Sequence, residues 1–409
     1  MKKLLQINPV IRENTSTGRI MRELGDLVLS AGWESYIAYS GARDGIRSHS
    51  SKLIPVGNRF DLLCHWLATR LFDAHGLVSR RPTRKLIRRI REIDPDVIHI
   101  HNVHGYFLNY PLLCDYLKES GKPVIWTAHD CWLYTGHCYH YSTIGCDRWK
   151  TECHDCPNKK RFPASYGLDR SRRNYIEKKR YFSTLPSLTL VAVSRWMKGE
   201  LAQSFLSKMP CHVIANGIDM NVFKPCETDG LYEGYGITRP CYFLAVAAIW
   251  LPEKGLKDLA SLAGILKEDE QLVLVGKLTA QQKASLPQSV ITIARTADVC
   301  ALAKLYSAAT ALVNPTWQDN YPTVNLESIA CGTPVVTYRT GGSGESVTPE
   351  TGFIVEQGDV EGMADRLHAI RRQDRAAWRS SCRNYALEHF DKNKAFQAYL
   401  DLYKLCVTD

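Results

Sequence analysis

Two carboxylates, Asp319 and Glu327, stand eight positions apart in the stretch DNYPTVNLESIACGTPVV (residues 319–336). An ionised carboxylate accepts strong hydrogen bonds from hydroxyl groups, and the backbone N–H groups of a helix N-terminus suit phosphate. If TVNLESIA opens a helix near Tyr321-Pro322, Glu327 lies on its first turns and Asp319 in the loop ahead, so one helix start offers both kinds of contact. The plainer reading is that the acids complement the helix dipole. Histidines end two other apolar runs: His129 closes PVIWTAH, and His101 and His104 sit in HNVHG. A strand-end histidine either meets a reacting group or serves local packing. Asp94-Pro95-Asp96 precedes a strand and reads as a helix stop, not as a magnesium site.

The chain holds 14 cysteines. Cys64, Cys114, Cys241, Cys300, Cys331 and Cys406 stand singly among apolar neighbours and read as small buried hydrophobes. Five more crowd between 131 and 156. Within them Cys138-x7-Cys146-x6-Cys153-x2-Cys156 ends in a C-x2-C and lies in a loop with little other means of folding, as structural zinc sites do. Free thiols and disulfides are the alternatives, and Cys131, His137, His140 and His154 are alternative ligands.

These residues need a frame to position them. KLLQINPV (3–10), ESYIAYS (34–40), DVIHIH (96–101), PVIWTAH (123–129), LTLVAVS (188–194) and CHVIAN (211–216) are short β-branched runs, with a helix opening at Thr17-Gly18 between the first two. YFLAVAA (242–248), QLVLVG (271–276), VITIAR (290–295), ALVNPT (311–316) and TPVVTY (333–338) repeat the scheme. Strands apolar throughout imply parallel sheets covered on both faces. The fold class is therefore α/β, with two doubly wound halves and a hinge near 217–228. Ligands of such sheets sit beyond the carboxyl ends of the strands, so two halves facing each other would share one cleft.

A chain of 409 residues that is 45% hydrophobic and 23% charged is long enough for two ordinary domains. Lys and Arg outnumber Asp and Glu by 52 to 42, which favours anionic partners. MKKLLQINPVI is too short and polar for a secretory signal, and no run of about 18 apolar residues indicates a spanning helix. The expected location is cytoplasmic.

VIANGIDMNVFKP (213–225), EKG (253–255), the acid pair with CGTPVV, GGSGES (341–346) and TGFIVEQGD (351–359) follow the order of motifs in retaining GT-B glycosyltransferases of family four, which the chain resembles over essentially its whole length. The stretches 82–109 and 126–141 look like the colanic-acid type of exopolysaccharide glycosyltransferases. The resemblance implies two Rossmann-like domains, 1–220 on the acceptor side with a Cys-rich insertion at 131–157 and 221–388 for the nucleotide sugar, followed by a C-terminal helix (389–409) packing back towards the first. Asp319-x7-Glu327 matches the family's E-x7-E with Asp in first place. By this similarity Asp319 holds sugar hydroxyls, Glu327 the ribose, and amides near Thr323 and Val324 the diphosphate, with Asn320, Tyr321 and Pro322 lining the same site. Lys254 would neutralise the departing diphosphate. The family's earlier Arg is missing, its places taken by Ala248 and Ile249, which leaves Arg295 or Arg19 to reach in. Thr15-Ser16-Thr17-Gly18 corresponds to the family's glycine-rich loop, Gly18 towards the donor and Thr17 towards the acceptor. His129 takes the position beside the sugar's reacting carbon, and His101 and His104 fall on the acceptor side. Retention by front-side attack needs neither a dedicated nucleophile nor a catalytic cofactor, so a structural zinc on Cys138, Cys146, Cys153 and Cys156 is the metal considered.

The resemblance points to transfer of a sugar from a nucleotide-sugar donor to a glycan or polyprenyl-linked saccharide in cell-surface polysaccharide or capsule biosynthesis. SRRPTRKLIRRIREI (79–93) is a basic helix, and FDLLCHWLATRLF (60–72) could add apolar contact. Together they would meet the inner face of the cytoplasmic membrane. Competing readings are a sugar-nucleotide epimerase or other GT-B enzyme and, from another class, a zinc-containing nucleic-acid-binding protein. The dispersed charge argues against nucleic acid as partner.

Overall fold

The computed structural model describes residues 1–12, 15–42, 49–228 and 230–407. They divide into two compact units, Met1–Ile214 with Phe396–Asp409 and Ala215–Ala395. The first is built on seven strands: β1 (Lys3–Ile7), β2 (Glu34–Ser40), β3 (Lys52–Val56), β4 (Val97–Ile100), β5 (Val124–Ala128), β6 (Leu188–Ala192) and β7 (Cys211–Val213). They lie parallel in the order β3-β2-β1-β4-β5-β6-β7. Every residue of β4 and β5 is buried, as continuous apolar runs demand of strands covered on both faces. β3 escapes that sequence signal because it is an edge strand, partly exposed, with Pro55 inside it. An edge strand tolerates proline because one of its sides needs no hydrogen bonds.

The second unit carries β8 (Cys241–Ile249), β9 (Glu270–Lys277), β10 (Ile291–Ile293), β11 (Ala311–Asn314), β12 (Val335–Tyr338) and β13 (Gly352–Val355), all parallel in the order β10-β9-β8-β11-β12-β13. Both sheets reverse their winding once, between β1 and β4 and between β8 and β11. Doubly wound sheets place ligands at such a reversal, outside the carboxyl ends of the strands.

The chain leaves the first unit after Ile214, earlier than 217–228, because NGID is bound within the second unit. Ile218 N donates to Phe390 O at 2.8 Å, and Lys392 pairs with Asp219 at 2.8 Å. The last helix, Lys392–Cys406, supplies buried Tyr399 and Tyr403 to the first unit. Of the six single cysteines, Cys114, Cys241 and Cys331 are buried, Cys64 and Cys406 are half-buried and Cys300 is exposed, so the small-hydrophobe reading fits three. Helix Arg80–Ile93 buries Leu86, Ile90 and Ile93 and stops at Asp94, whose φ of 51° ends the helix one residue before Pro95.

Candidate active site

Lys254 and Asp319 come from the two loops that flank the reversal of the second sheet. The turn Pro252–Lys254 follows β8, and the loop after β11 leads into helix Thr323–Ala330. Gly255 lets these loops meet. Its φ is 73°, and a Cβ there would lie 2.1 Å from the carbonyl oxygen of Pro315, so any other residue would drive the loops apart. Trp317 N donates to Glu253 O at 2.8 Å, and Trp317 Nε1 to Asp258 Oδ2 at 2.6 Å. Thus anchored, Lys254 Nζ sits 2.8 Å from Asp319 Oδ2. Burial pulls the Lys254 pKa down, but Asp319 beside it prevails and raises it, so the ammonium stays charged. Tyr321 N donates to Asp319 Oδ1 at 3.2 Å, and Gly342 N, from the GGSGES segment, donates to Asp319 O at 3.2 Å.

Glu327 is buried in the second turn of its helix and accepts a hydrogen bond from Tyr306 Oη at 2.9 Å. Burial, and then the Glu327 charge, push the Tyr306 pKa well up, so the phenol remains a donor. The first turn holds no acidic residue, which removes the dipole-complement reading, since the dipole acts on the first turn. No side chain caps this helix; Pro322 occupies the cap. Asn320 and Pro322 are buried, while Tyr321, Thr323 and Val324 are half-buried. Asn325, which the motif reading did not single out, braces the loops around Asp319 and Glu327. Its buried amide donates to Ser343 O at 3.1 Å and accepts from Asn314 Nδ2 at 2.8 Å, joining β11, the helix and the turn Ser343–Ser346. A lone amide within an apolar helical run was the only available signal. Arg295 is exposed past edge strand β10, with β9 between it and β8, so the fold does not gather it with Lys254 and Asp319. At the place of the missing Arg, Ile249 is 55% exposed.

In the first unit the loops after β1, β4 and β5 converge. Asn8 Nδ2 lies 3.3 Å from Thr17 Oγ1, and Asn102 Nδ2 donates to Asn8 Oδ1 at 3.2 Å, which ties the β1 loop to the β4 loop. A Cβ at Gly18 would lie 2.4 Å from Arg12 O, so glycine is required for this approach. A small pocket is lined by His101, Asn102, His104, His129 and Asp130, among others. His129 is half-buried, and burial lowers its pKa to about 4, so its ring is neutral at ordinary pH. His101, expected on the acceptor side, sits with both ring nitrogens engaged. It is fully buried, with Nδ1 3.0 Å from His129 Nε2 and Nε2 3.1 Å from Gln6 Oε1. His104 Nε2 lies 2.7 Å from Asp130 Oδ2, and Asp130 also caps Trp132 N at 2.9 Å. Burial raises the Asp130 pKa, but His104 and that N–H outweigh it and lower it, so this carboxylate is ionised.

Cys138, Cys146, Cys153 and Cys156 line one cavity beside His137 and His154. Yet among the described residues no three His, Cys, Asp or Glu side chains are arranged to hold a metal ion together. The loop also has its own means of folding, contrary to expectation: Trp132, Tyr134, Tyr141 and Trp149 are buried in the core of the first unit. Lys178, fully buried, adds hydrogen bonds to Trp132 O at 2.6 Å and Thr135 O at 2.9 Å. None of these four cysteines is in a disulfide.

Two doubly wound parallel units of this kind are the fold of GT-B glycosyltransferases. Residues 18–222 match Glycosyltransferase Family 4 and residues 240–373 match Glycosyl transferases group 1. The chain belongs to glycosyltransferase family 4 and is an enzyme of that kind. It is 25% identical over 371 residues to the colanic acid biosynthesis glycosyl transferase WcaC of Escherichia coli (strain K12), covering 87% of this chain and 88% of that one. It is 25% identical over 312 residues to the GDP-mannose-dependent alpha-mannosyltransferase of Mycobacterium tuberculosis (strain CDC 1551 / Oshkosh), covering 73% and 71%. Among solved structures, sucrose-phosphate synthase (tll1590) from Thermosynechococcus elongatus shares the fold with a TM-score of 0.71 at 16% identity, over 99% of both chains. Anabaena Alr3699/HepE in complex with UDP-glucose does so with a TM-score of 0.70 at 16% identity, over 99% of this chain and 100% of that one.

Proposed function

We propose that the chain is a retaining glycosyltransferase moving a sugar from a nucleotide-sugar donor to a glycan or polyprenyl-linked acceptor in cell-surface polysaccharide biosynthesis. The observation that carries the donor reading is the Lys254–Asp319 ion pair at the reversal of the second sheet, with Glu327 buried on the helix that follows. A nucleotide sugar presents groups that suit such a set, namely hydroxyls for carboxylates and a diphosphate for the ammonium. On binding, Lys254 would exchange Asp319 for the diphosphate, releasing the carboxylate to sugar hydroxyls. Charge on the departing phosphate then grows against a fixed cation, and the leaving oxygen helps to take the acceptor proton. UDP-glucose is bound by Anabaena HepE, and WcaC is named for colanic acid, which favours this donor class and this pathway class here too.

The test is thermal stabilisation by a panel of UDP-, GDP- and ADP-sugars, followed by product analysis. A donor at 100 times its dissociation constant adds about 2.7 kcal/mol. Absence of stabilisation by any of them overturns the reading, and a rearranged sugar nucleotide without transfer identifies an epimerase.

Association with an anionic membrane surface belongs to the same proposal. Among the described residues no helix is long and apolar enough to cross a membrane. Helix Arg59–Phe72 nevertheless exposes a stripe of Phe60, Leu63, Leu67 and Leu71, with Phe60 at 71% and Leu71 at 51%. Tyr166 and Leu168, also exposed, are bonded to its end through Arg70 O and Leu71 O. A groove lined by Lys52, Phe60, Arg81, Lys85 and Arg89 joins this stripe to the exposed basic face of helix Arg80–Ile93. An apolar stripe bordered by cations suits an anionic bilayer, where each cation contributes about 1 kcal/mol. The triple variant Phe60→Ser, Leu67→Ser, Leu71→Ser is expected to lose more than about tenfold in sedimentation with anionic vesicles. Equal binding of variant and parent removes the stripe from the interface.

A structural zinc on Cys138, Cys146, Cys153 and Cys156 is also proposed. The spacing and the shared cavity support it, and the side chains would have to turn to a common centre on binding. Protein purified under reducing conditions is expected to carry about one zinc per chain, released by Cys153→Ser with Cys156→Ser. Metal analysis showing none returns the cluster to free thiols.

A further inference from the structure

We infer that Gln6 and His101 are positioning residues that hold His129 in a single tautomer, with its proton on Nε2 and a lone pair on Nδ1. The kinetic part of this inference rests on the proposed contact between His129 and the donor sugar.

The carbonyl oxygen of Met21 only accepts, so the Gln6 atom 2.9 Å from it is the amide nitrogen, and Oε1 is the atom facing His101. Oε1 also only accepts. His101 Nε2, 3.1 Å away, must therefore carry a proton. Burial holds His101 well below the ordinary imidazole range, so its ring is neutral with one N–H, and Nδ1 is an acceptor. His129 Nε2 lies 3.0 Å from that Nδ1 and must donate to it. Any other assignment sets two lone pairs or two protons face to face in a buried position.

The geometry also fixes the rings. His129 lies edge to edge with His101, their planes 20° apart and their centroids 5.3 Å apart, and His99 packs on His101 with ring centroids 3.9 Å apart. His99 is itself held by Tyr403 Oη at 2.7 Å and Thr127 Oγ1 at 2.8 Å. Neither ring can turn to exchange its nitrogens without breaking this set.

An acceptor at Nδ1 requires a bound sugar hydroxyl to donate. Donation raises electron density on the hydroxyl oxygen, which is favourable beside a sugar carbon that becomes electron-poor as its bond to phosphate breaks. The opposite tautomer would present an N–H and withdraw that density.

Long-range ¹H–¹⁵N spectra of the full chain labelled with ¹⁵N-histidine test the relay directly, His129 being assigned by the signals lost in His129→Gln. The parent protein should show the Nε2–H tautomer. Gln6→Met, near in shape but without an acceptor, should mix the tautomers and lower kcat roughly five- to tenfold with little change in donor KM. Gln6→Glu should rescue both, because a buried carboxylic acid can donate to Met21 O and accept from His101. His101→Phe, which keeps a flat ring against His99 and removes the acceptor, serves if Gln6→Met does not fold. An Nδ1–H or charged His129 in the parent, or an unchanged signal and kcat in Gln6→Met, overturns the inference. Full activity of His129→Gln would instead overturn the sugar contact, and the tautomer spectrum then judges the relay by itself.

Discussion

Lys254→Ala is expected to lower kcat by about 10²- to 10³-fold, the usual loss when one preorganised charge partner of a transition state is removed. The ammonium stands 2.8 Å from Asp319 and is kept charged by it, so it is ready to meet a diphosphate whose charge grows as the sugar leaves. Ground-state donor binding should fall less than turnover, because only part of that charge exists before the bond breaks. Part of the binding loss will come from Asp319, which the substitution leaves as an uncompensated carboxylate near the phosphates. Lys254→Ala combined with Asp319→Asn should recover that part and leave kcat low. Equal losses in kcat and donor affinity for the single variant would reduce Lys254 to a positioning role.

Glu327→Gln should weaken donor binding by about 1.5–3 kcal/mol, since a neutral amide is a poorer acceptor than a carboxylate for ribose hydroxyls. This corresponds to roughly 10- to 150-fold in dissociation constant. The amide oxygen can still accept from Tyr306, so the fold should survive the change. Tyr306→Phe is the control: it removes the 2.9 Å hydrogen bond but leaves the charge, and its effect on donor affinity should be smaller. Unchanged affinity of Glu327→Gln in calorimetry removes Glu327 from the donor site.

The α/β class with two doubly wound units was legible in the sequence because parallel strands covered on both faces are apolar throughout, a local property. β4, β5, β11 and β12 are of that kind. The need for glycine after Lys254 was not legible, because its reason, a carbonyl 2.1 Å from where a Cβ would be, lies in another segment. β3 was not legible, because an edge strand need bury only one side and Pro55 breaks its pattern. The cysteine loop was misjudged as poor in other support, because its aromatic residues find their core only against the rest of the unit.

Sequence by itself determined which residue types are available at the strand ends: an acid pair eight apart, a lysine in a tight turn, and histidines after β4 and β5. Tertiary structure alone decided their partners. Lys254 meets Asp319 across 65 positions, Tyr306 meets Glu327 across 21, and Gln6 meets His101 across 95. The physical reason is that parallel strands pair through long crossovers, so side chains distant in the chain become neighbours only when register aligns the strand ends. Pairing of Gln6 with His99 in the β1–β4 register is the step that sets His101 between Gln6 and His129.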